Sequence, residues 1–358
     1  MQMPPLQSTN TATNIVKCLV WDLDNTLWQG VLLENDEIIL RDGALQVIQT
    51  LDSRGILQSV ASKNDPEVAL QQLRRLGLQD YFLYPQISWN SKVHSIQEIA
   101  VHLNIGTDAI AFIDDQPFEL EEVNFSLTEV RCFHAEDMEK LVDKPDFNPP
   151  FVTPDAQSRR QMYLSNRARQ QAEETFIGPE AAFLATLNMH LTIAPAQSVD
   201  LRRAEELTVR THQLNTTGYS YSYEELEYFR QSNRHQLLMA TLEDRFGSYG
   251  KIGLALLECQ ENAWIIKLLL MSCRVMSRGV GSIVLNHIIA QAVANQVKLY
   301  AEFAANDRNR MMYITYKFAG FREVKKQDGL TLLLNETMQP QPYPNYMTVS
   351  TTLPQLNP

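Results

Sequence analysis

Three short apolar runs in the first third of the chain each stop at a cluster of polar residues. Ile15-Val16-Lys17-Cys18-Leu19-Val20-Trp21 ends in Asp22-Leu23-Asp24-Asn25-Thr26, and Gly55-Ile56-Leu57-Gln58-Ser59-Val60-Ala61 ends in Ser62-Lys63-Asn64-Asp65. Ala109-Ile110-Ala111-Phe112-Ile113 ends in Asp114-Asp115. Runs of this length predict strands buried on both faces of a parallel sheet. Helical patterns from Pro66 to Leu76 and from Val93 to Leu103 lie between them, with Lys92 opening the second. The alternation predicts a doubly wound α/β unit whose strand ends converge on one edge.

Beyond residue 142 the pattern changes. Asp143-Lys144-Pro145-Asp146-Phe147-Asn148-Pro149-Pro150, followed by Pro154, can continue neither a helix nor a central strand. A basic helical segment then runs from Arg159 through Arg169 toward Phe183-Leu184, and a second helical pattern spans Leu201 to Thr211. Leu237 to Leu242, Ile252 to Cys259 and Trp264 to Met271 read as strands, the first two joined by a glycine-bearing turn. After Met271, the segment Ser272-Cys273-Arg274-Val275-Met276-Ser277-Arg278-Gly279-Val280-Gly281-Ser282 feeds a helix from Ile283 to Ala294. The expected organisation is a disordered tail over 1–14, an α/β domain over 15–142 and a proline-rich linker over 143–158. A second domain over 159–337 and a disordered tail over 338–358 complete it; that last segment carries five prolines.

The chemistry suggested by the first half is phosphoryl transfer. Asp22 and Asp24 share a strand face, so both project from the edge where α/β sheets bind ligands. Two like charges side by side are costly unless a cation or substrate calls for them, and Mg²⁺, a hard ion with oxygen ligands, answers that need. Lys92, at a helix start, can bring a positive charge to a phosphate. The plain alternative, that such residues only cap helices and solvate loops, suits any one of them alone. The gaps from Thr26 to Ser62 and from Ser62 to Asp114 are too short for a large cap domain, so water exclusion falls to a second domain, a partner or a macromolecular substrate, and the short segment Leu27 to Ile38 reads as a flap over the site. In the second half, backbone N–H groups at the start of the helix after Gly279 and Gly281 form a possible phosphate cradle.

Composition narrows the setting. A net charge of −11 argues against a general nucleic-acid binder. No apolar run approaches the roughly 18 residues of a membrane span and no signal-peptide pattern precedes the first strand, so a cytoplasmic protein is expected. The four cysteines, Cys18, Cys132, Cys259 and Cys273, lack metal-ligand spacing.

Asp22-x-Asp24-x-Thr26, Ser62, Lys92 and Asp114-Asp115, in that order, resemble the four motifs of the haloacid dehalogenase superfamily of phosphotransferases. The resemblance implies that Asp22 is the nucleophile and Asp24 the general acid/base. It further implies that Thr26, Ser62, Lys63, Asn64 and Lys92 surround the phosphoryl group and that Asp22, Asp24, Asp114 and Asp115 hold Mg²⁺. The loop bearing Arg274, Arg278, Gly279 and Gly281 resembles the pyrophosphate loop of the GNAT acyltransferase fold, with Met276 where those enzymes usually carry Gln or Arg. The fold class is therefore α/β, an N-terminal doubly wound parallel sheet without a large cap, followed by a GNAT-like α+β domain.

Taken together, the span from about Lys17 to about Phe321 resembles the FkbH-like proteins. The phrases Asp22-Leu23-Asp24-Asn25-Thr26-Leu27-Trp28, Ser62-Lys63-Asn64-Asp65, Ile113-Asp114-Asp115-Gln116-Pro117-Phe118-Glu119, Glu206-Leu207-Thr208, Asp244-Arg245-Phe246-Gly247 and Ser272-Cys273-Arg274-Val275 carry it. That resemblance implies loading of a glyceryl unit from 1,3-bisphosphoglycerate, with dephosphorylation, onto the phosphopantetheine thiol of an acyl carrier protein in polyketide biosynthesis. Cys273 would carry the acyl group as a thioester, beside Arg274 and Arg278, whose charges favour a thiolate. His212 and Asn215 are further polar groups for that site, although relatives have Asn where His212 stands. A lactyl product, a stand-alone Mg²⁺-dependent phosphatase and a non-catalytic carrier-docking protein are the alternatives. Arg308, Arg310, Lys317 and Arg322 are basic positions that suit an acidic carrier.

Overall fold

The computed structural model describes residues 15–34, 37–211 and 213–352. It divides into two compact units, one ending at Leu164 and one beginning at Ser165. The expected N-terminal tail lies outside the described residues.

The first unit contains strands β1 (Cys18–Trp21), β2 (Trp28–Gln29), β3 (Ile39–Leu40), β4 (Leu57–Ser62), β5 (Gln86–Ile87), β6 (Ile110–Asp114) and β7 (Arg131–His134). Its main helices are α1 (Ala44–Ser53), α2 (Pro66–Arg75), α3 (Lys92–Leu103) and α4 (Pro117–Ser126). Five strands form a parallel sheet in the order β5-β4-β1-β6-β7. Alternate residues of β1 serve opposite cores: Leu19 and Trp21 pack with Val47, Ile48 and Leu51 of α1, while Cys18 and Val20 pack with Ile96 and Ile99 of α3. A strand that must be apolar on both faces shows no alternation, which is why these runs are continuous. The polar exception, Gln58, is satisfied: it accepts from Trp21 Nε1 at 3.1 Å and donates to the Ile48 carbonyl at 3.0 Å. Parallel pairing brings the carboxyl ends of β1, β4 and β6 to one edge. The segment expected as a flap forms the β2–β3 hairpin instead of a cap domain.

The proline-rich stretch is not a free linker. Phe147 is fully buried, and the Arg54 guanidinium donates to the carbonyls of Val142 (2.6 Å) and Phe147 (3.1 Å). The Asp146 carbonyl accepts from Val16 N at 2.9 Å, beside β1. Proline removes backbone donors but leaves carbonyls, and here an arginine and neighbouring amides meet them. The segment, with the short helix α5 (Pro154–Gln157), therefore packs as part of the first unit. The division between units falls inside the next helix, α6 (Arg159–Glu174). The helical run expected to continue to Leu184 is interrupted after Glu174; Gly178 and Pro179 precede a separate helix, α7 (Glu180–Thr186).

The second unit adds strands β8 (Met189–Pro195), β9 (His235–Asp244), β10 (Gly247–Cys259), β11 (Ala263–Met271), β12 (Lys298–Ala304), β13 (Phe321–Gln327), β14 (Leu330–Asn335) and β15 (Met347–Thr351). Its helices include α8 (Leu201–Arg210), α9 (Tyr223–Gln231), α10 (Val280–Ala294) and α11 (Arg310–Phe318). One mixed sheet runs in the order β13-β14-β12-β11-β10-β9-β8-β15, with β11 and β12 parallel. α8 and α9 bury Leu201, Ala204, Leu207, Leu226 and Phe229 on one face; α10 and α11 bury Ile283, Val284, Ile288, Met312 and Tyr316 on the other. The α/β plus α+β class is thus as expected.

The proline-rich end, expected to be disordered, is a structured strap through residue 352. β15 pairs in parallel with β8, Met347 is buried, and Asn286 exchanges two hydrogen bonds with the Gln341 backbone (2.9 and 3.0 Å). Its prolines preclude a helix, but an extended strap anchored at two points needs none. Pro354 and Pro358 lie outside the described residues.

Candidate functional site

The loop after β1 is a tight turn. The Leu23 carbonyl accepts from the N–H groups of Thr26, Leu27 and Trp28, and Asn25 takes a left-handed conformation at φ 54°, which asparagine tolerates better than most residues. Asp22, at the strand end, is buried beside it. Lys92, the first residue of α3, is likewise buried, behind an N-cap in which Ser91 accepts from His94 N at 3.2 Å.

These residues converge. The Lys92 ammonium hydrogen-bonds Asp22 Oδ1, donates to the Ala61 carbonyl at 2.8 Å and lies 3.1 Å from Asp114 Oδ2. Burial alone would lower the Lys92 pKa, but the charges of Asp22 and Asp114 outweigh it and the pKa is raised. Asp22, Asp114 and Asp115 present carboxylate oxygens within 4.8 Å of one another. Burial, then the Asp22 charge, pushes Asp114 up to about 6 against the opposing pull of Lys92. Asp115 is raised for the same first two reasons. One lysine thus faces three carboxylates, and Asp114 Oδ2 is buried against its ammonium. Hard oxygen donors and surplus negative charge fit a divalent cation such as Mg²⁺.

Asp24 is placed differently. Its Oδ1 accepts from Trp28 Nε1 (2.8 Å) and Leu32 N (3.2 Å), and its Oδ2 accepts from Asn64 Nδ2 (3.0 Å). Burial raises its pKa in spite of these bonds. The four-carboxylate metal set expected from sequence therefore becomes three, because the Asp24 carboxylate is held by the β2–β3 hairpin and β4 loop. Asn64, expected on phosphate, donates to Asp24. Lys63, expected there too, pairs with Glu119 at 2.6 Å. Thr26 donates to Asp115 at 3.4 Å, and Ser62 is buried at the end of β4. Glu119 and Trp28 were not singled out as site residues. The signal for Glu119 was its place in the first turn of the helix following Asp114-Asp115.

The second unit is less convergent. Cys273 opens a 3₁₀ turn directly after β11; its side chain, like His212 as a whole, lies outside what is described. Arg274 Nε donates to Ser272 Oγ at 3.3 Å. Arg278, expected to face a thiol or phosphate, is buried, paired with Glu173 of α6 at 3.1 Å, and set against the Phe183 ring. Its Nη2 donates to Glu173, while its Nη1 is buried without a hydrogen-bond partner, so the pair engages only part of the guanidinium. Gly279 is the N-cap of α10, at φ 71°; the Tyr346 hydroxyl lies 2.8 Å from where a Cβ would stand, so the strap reaches the glycine turn. Gly281, expected in the loop before a helix starting at Ile283, falls in the first turn of α10, which starts at Val280. Cys132 and Cys259 are free thiols pushed up by burial to about 11 and about 12, and burial raises Cys18 further.

Where β11 and β12 part, residues Leu214–Thr217 fill the gap. Met271 N donates to the Leu214 carbonyl (2.9 Å), Thr216 N to the Leu269 carbonyl (3.1 Å) and Ala304 N to the Thr216 carbonyl (3.0 Å). Asn309 Nδ2 donates to the carbonyls of Asn215 (3.0 Å) and Ala304 (2.9 Å). Asn215 thus belongs to a backbone plug tied to β11 just before Cys273. Nothing in the periodicity signalled this, because the plug is neither a helix nor a strand of the main ladder.

No family model matches the chain, and no curated protein does. Among solved structures, the chain is similar to the N-terminal part of a Bacteroides fragilis protein containing a phosphatase domain, complexed with Mg. That alignment has 27% identity and a TM-score of 0.31, covering 42% of this chain and 40% of the other, so this chain spans well under half of that structure. The Escherichia coli ribosomal-protein-S18-alanine N-acetyltransferase aligns at 18% identity and TM-score 0.33, over 43% of this chain and 99% of its own. A spermidine N-acetyltransferase variant from Vibrio cholerae aligns at 20% identity and TM-score 0.31, over 41% and 95%.

Proposed function

We propose that the first unit is a Mg²⁺-dependent phosphoryl-transfer centre with Asp22 as nucleophile. In the same chain it would serve the loading of a dephosphorylated three-carbon acyl unit onto an acyl carrier protein. The observation that carries the first part is the meeting of Asp22, Asp114 and Asp115 around buried Lys92. The second part rests on the FkbH-like sequence resemblance.

In this reading an Asp22 oxygen attacks the phosphorus of a phosphate ester, forming an aspartyl-phosphate as the bond to the alcohol oxygen breaks. The alcohol takes its proton from Asp24, whose raised pKa suits a group that carries one. Asp24 then takes a proton from water as that water attacks phosphorus, releasing inorganic phosphate and restoring Asp22. Lys92, held at Asp22, offsets charge on the phosphoryl oxygens. Mg²⁺, held by Asp22, Asp114 and Asp115, would balance the remaining charge of the site.

In the second unit the Cys273 thiolate would attack the acyl carbon of 1,3-bisphosphoglycerate. A thioester forms, the carbon–oxygen bond to the acyl phosphate breaks and phosphate leaves. The phosphopantetheine thiol would then take the acyl group by thioester exchange, giving a glyceryl-carrier product once the remaining phosphate ester is removed at Asp22. A lactyl product would follow from the same steps with a different donor.

One observation favours the plainer reading of a phosphatase alone: the Arg278 Nη2 is engaged by Glu173, which offsets part of the charge it would lend the Cys273 loop. Intact-mass spectrometry of holo carrier protein incubated with the protein, Mg²⁺ and 1,3-bisphosphoglycerate separates the two. A glyceryl mass that disappears with Cys273→Ala supports acyl loading. Phosphate release indifferent to Cys273→Ala, with no acyl mass, leaves the phosphatase.

A further inference from the structure

Among the described residues, the sheet of the second unit ends at β13, which pairs only with β14. Phe321 is buried, and all six residues after it, Arg322 to Gln327, are exposed. α11 lies beside this strand: Tyr313 donates to Glu323 at 2.6 Å. Between Ala305 and Asp328 the chain carries six basic residues, Arg308, Arg310, Lys317, Arg322, Lys325 and Lys326, against Asp307, Glu323 and Asp328. Arg322 is paired with Glu336 at 2.9 Å, and the remaining cations still leave a locally positive edge on a chain whose net charge is −11. All six basic residues are exposed.

Lysines on an edge strand also discourage strand-to-strand aggregation, and charge alone would be read that way. The apolar residues among them work against that purpose. Phe318, at the end of α11, is 90% exposed, Met311 51% and Val324 49%. A large exposed apolar side chain beside an edge strand that carries cations on both faces is the composition of a docking surface, with an apolar centre and charged surroundings that steer the partner. A polynucleotide would meet the positive rim but would leave the apolar side chains of Phe318, Met311 and Val324 without an apolar partner. A compact acidic protein with a small apolar patch satisfies both features.

We propose that the α11–β13 edge, centred on Phe318 with Lys317, Lys325 and Lys326, docks an acidic protein, and that this protein is the acyl carrier. The inference rests on the acyl-loading reading for the partner's identity, and on charge and exposure for the surface. None of these side chains belongs to either candidate site, so substitutions here act on encounter with the partner.

Binding of a fluorescently labelled holo acyl carrier protein, its pantetheine thiol blocked, is followed by anisotropy across a range of salt concentrations. Lys317→Glu/Lys325→Glu/Lys326→Glu is expected to weaken binding about tenfold or more and to flatten its salt dependence. Phe318→Ser is expected to weaken it severalfold with the salt dependence retained. Lys140→Glu, an exposed reversal in the first unit, is expected to change nothing. Turnover with free pantetheine as acceptor is expected to match wild type in every variant. Wild-type affinity in the triple variant, salt-independent binding by wild type, or an equal loss with Lys140→Glu would overturn the proposal. Salt-dependent binding lost in the triple variant, without any acyl transfer by wild type, would retire the acyl-loading reading and keep the surface. Acyl loading with an unchanged KM for the carrier in the triple variant would do the reverse.

Discussion

The two units treat their charged residues in opposite ways. In the first, the buried lysine that opens α3 faces two buried carboxylates, Asp22 and Asp114, and a half-buried third, Asp115, at the ends of β1 and β6. In the second, the most deeply buried ions are paired: Arg169 meets Asp244 in a two-pronged contact (2.7 and 2.9 Å) and Arg203 meets Glu206 at 2.8 Å. Arg278 meets Glu173 with Nη2 alone, and its Nη1 is buried without a partner. Closed pairs hold a fold; an open, over-negative cluster stores a demand for a cation or a reacting group. By this measure the first unit is built for ionic chemistry. The second concentrates its candidate chemistry at one thiol and one glycine-bearing helix start.

Four tests probe that contrast, from the largest expected effect to the smallest. Asp22→Asn should lower Mg²⁺-dependent phosphate release by roughly a thousandfold or more, because the nucleophile is lost. Colorimetric phosphate assays would show it, and a near-wild-type rate would break the contrast at its centre. Asp244→Ala should destabilise the second unit by about 3–5 kcal/mol, since it leaves the Arg169 guanidinium buried and unpaired. Urea titration reads this as a lower midpoint, and an unchanged midpoint would mean that the closed pair holds nothing.

Thr216→Val should cost about 1–3 kcal/mol, because Leu269 N donates to the Thr216 hydroxyl at 3.0 Å and would lose its acceptor inside the plug. Thr216→Ser should restore most of it.

The smallest effect is a divergence with pH. Asp24, Asp114 and Asp115 have raised pKa values in the folded first unit, with Asp114 at about 6. The folded state there binds more protons than the unfolded one between about pH 4 and 6, so without Mg²⁺ its stability should rise as pH falls through that window. In the second unit burial lowers the pKa of His235 and His287. There the unfolded state binds more protons below their ordinary value of 6.5, and stability should fall on acidification. Hydrogen exchange resolved by peptide, at pH 7 and pH 5.5, should show the two units moving in opposite directions. Parallel shifts would contradict it, and added Mg²⁺ should suppress the gain in the first unit.

Much of the first unit was legible because its signals are local. Continuous apolar runs marked the central strands to within a few residues, and the polar residue following each run necessarily fell at the carboxyl edge. Which atoms each residue would touch was not legible. Asn64 and Lys63 stand beside Ser62 in sequence, yet they turn to Asp24 and Glu119, choices set by the β2–β3 hairpin and α4. In the second unit the missed features are all non-local. β15 pairs with β8 across the whole unit, the Leu214–Thr217 plug joins β11 to β12, and Arg278 finds its carboxylate in α6. The proline count of the last segment predicted disorder because composition reports what a chain cannot form internally, not what it can lean against.

The sequence by itself determined the α/β and α+β order of the two halves and the identity of the residues at the β1, β4 and β6 ends. It also determined that Asp22, Lys92 and the Asp114-Asp115 pair belong to one edge. Periodicity is a property of each segment alone, and parallel pairing leaves those ends only one side to share. The tertiary structure alone decided that Asp24 stands apart from the other three carboxylates, that Arg278 serves Glu173, and that the strap reaches Gly279. Each of those outcomes is a contest for a buried partner between groups distant in the chain, settled by where packing places them.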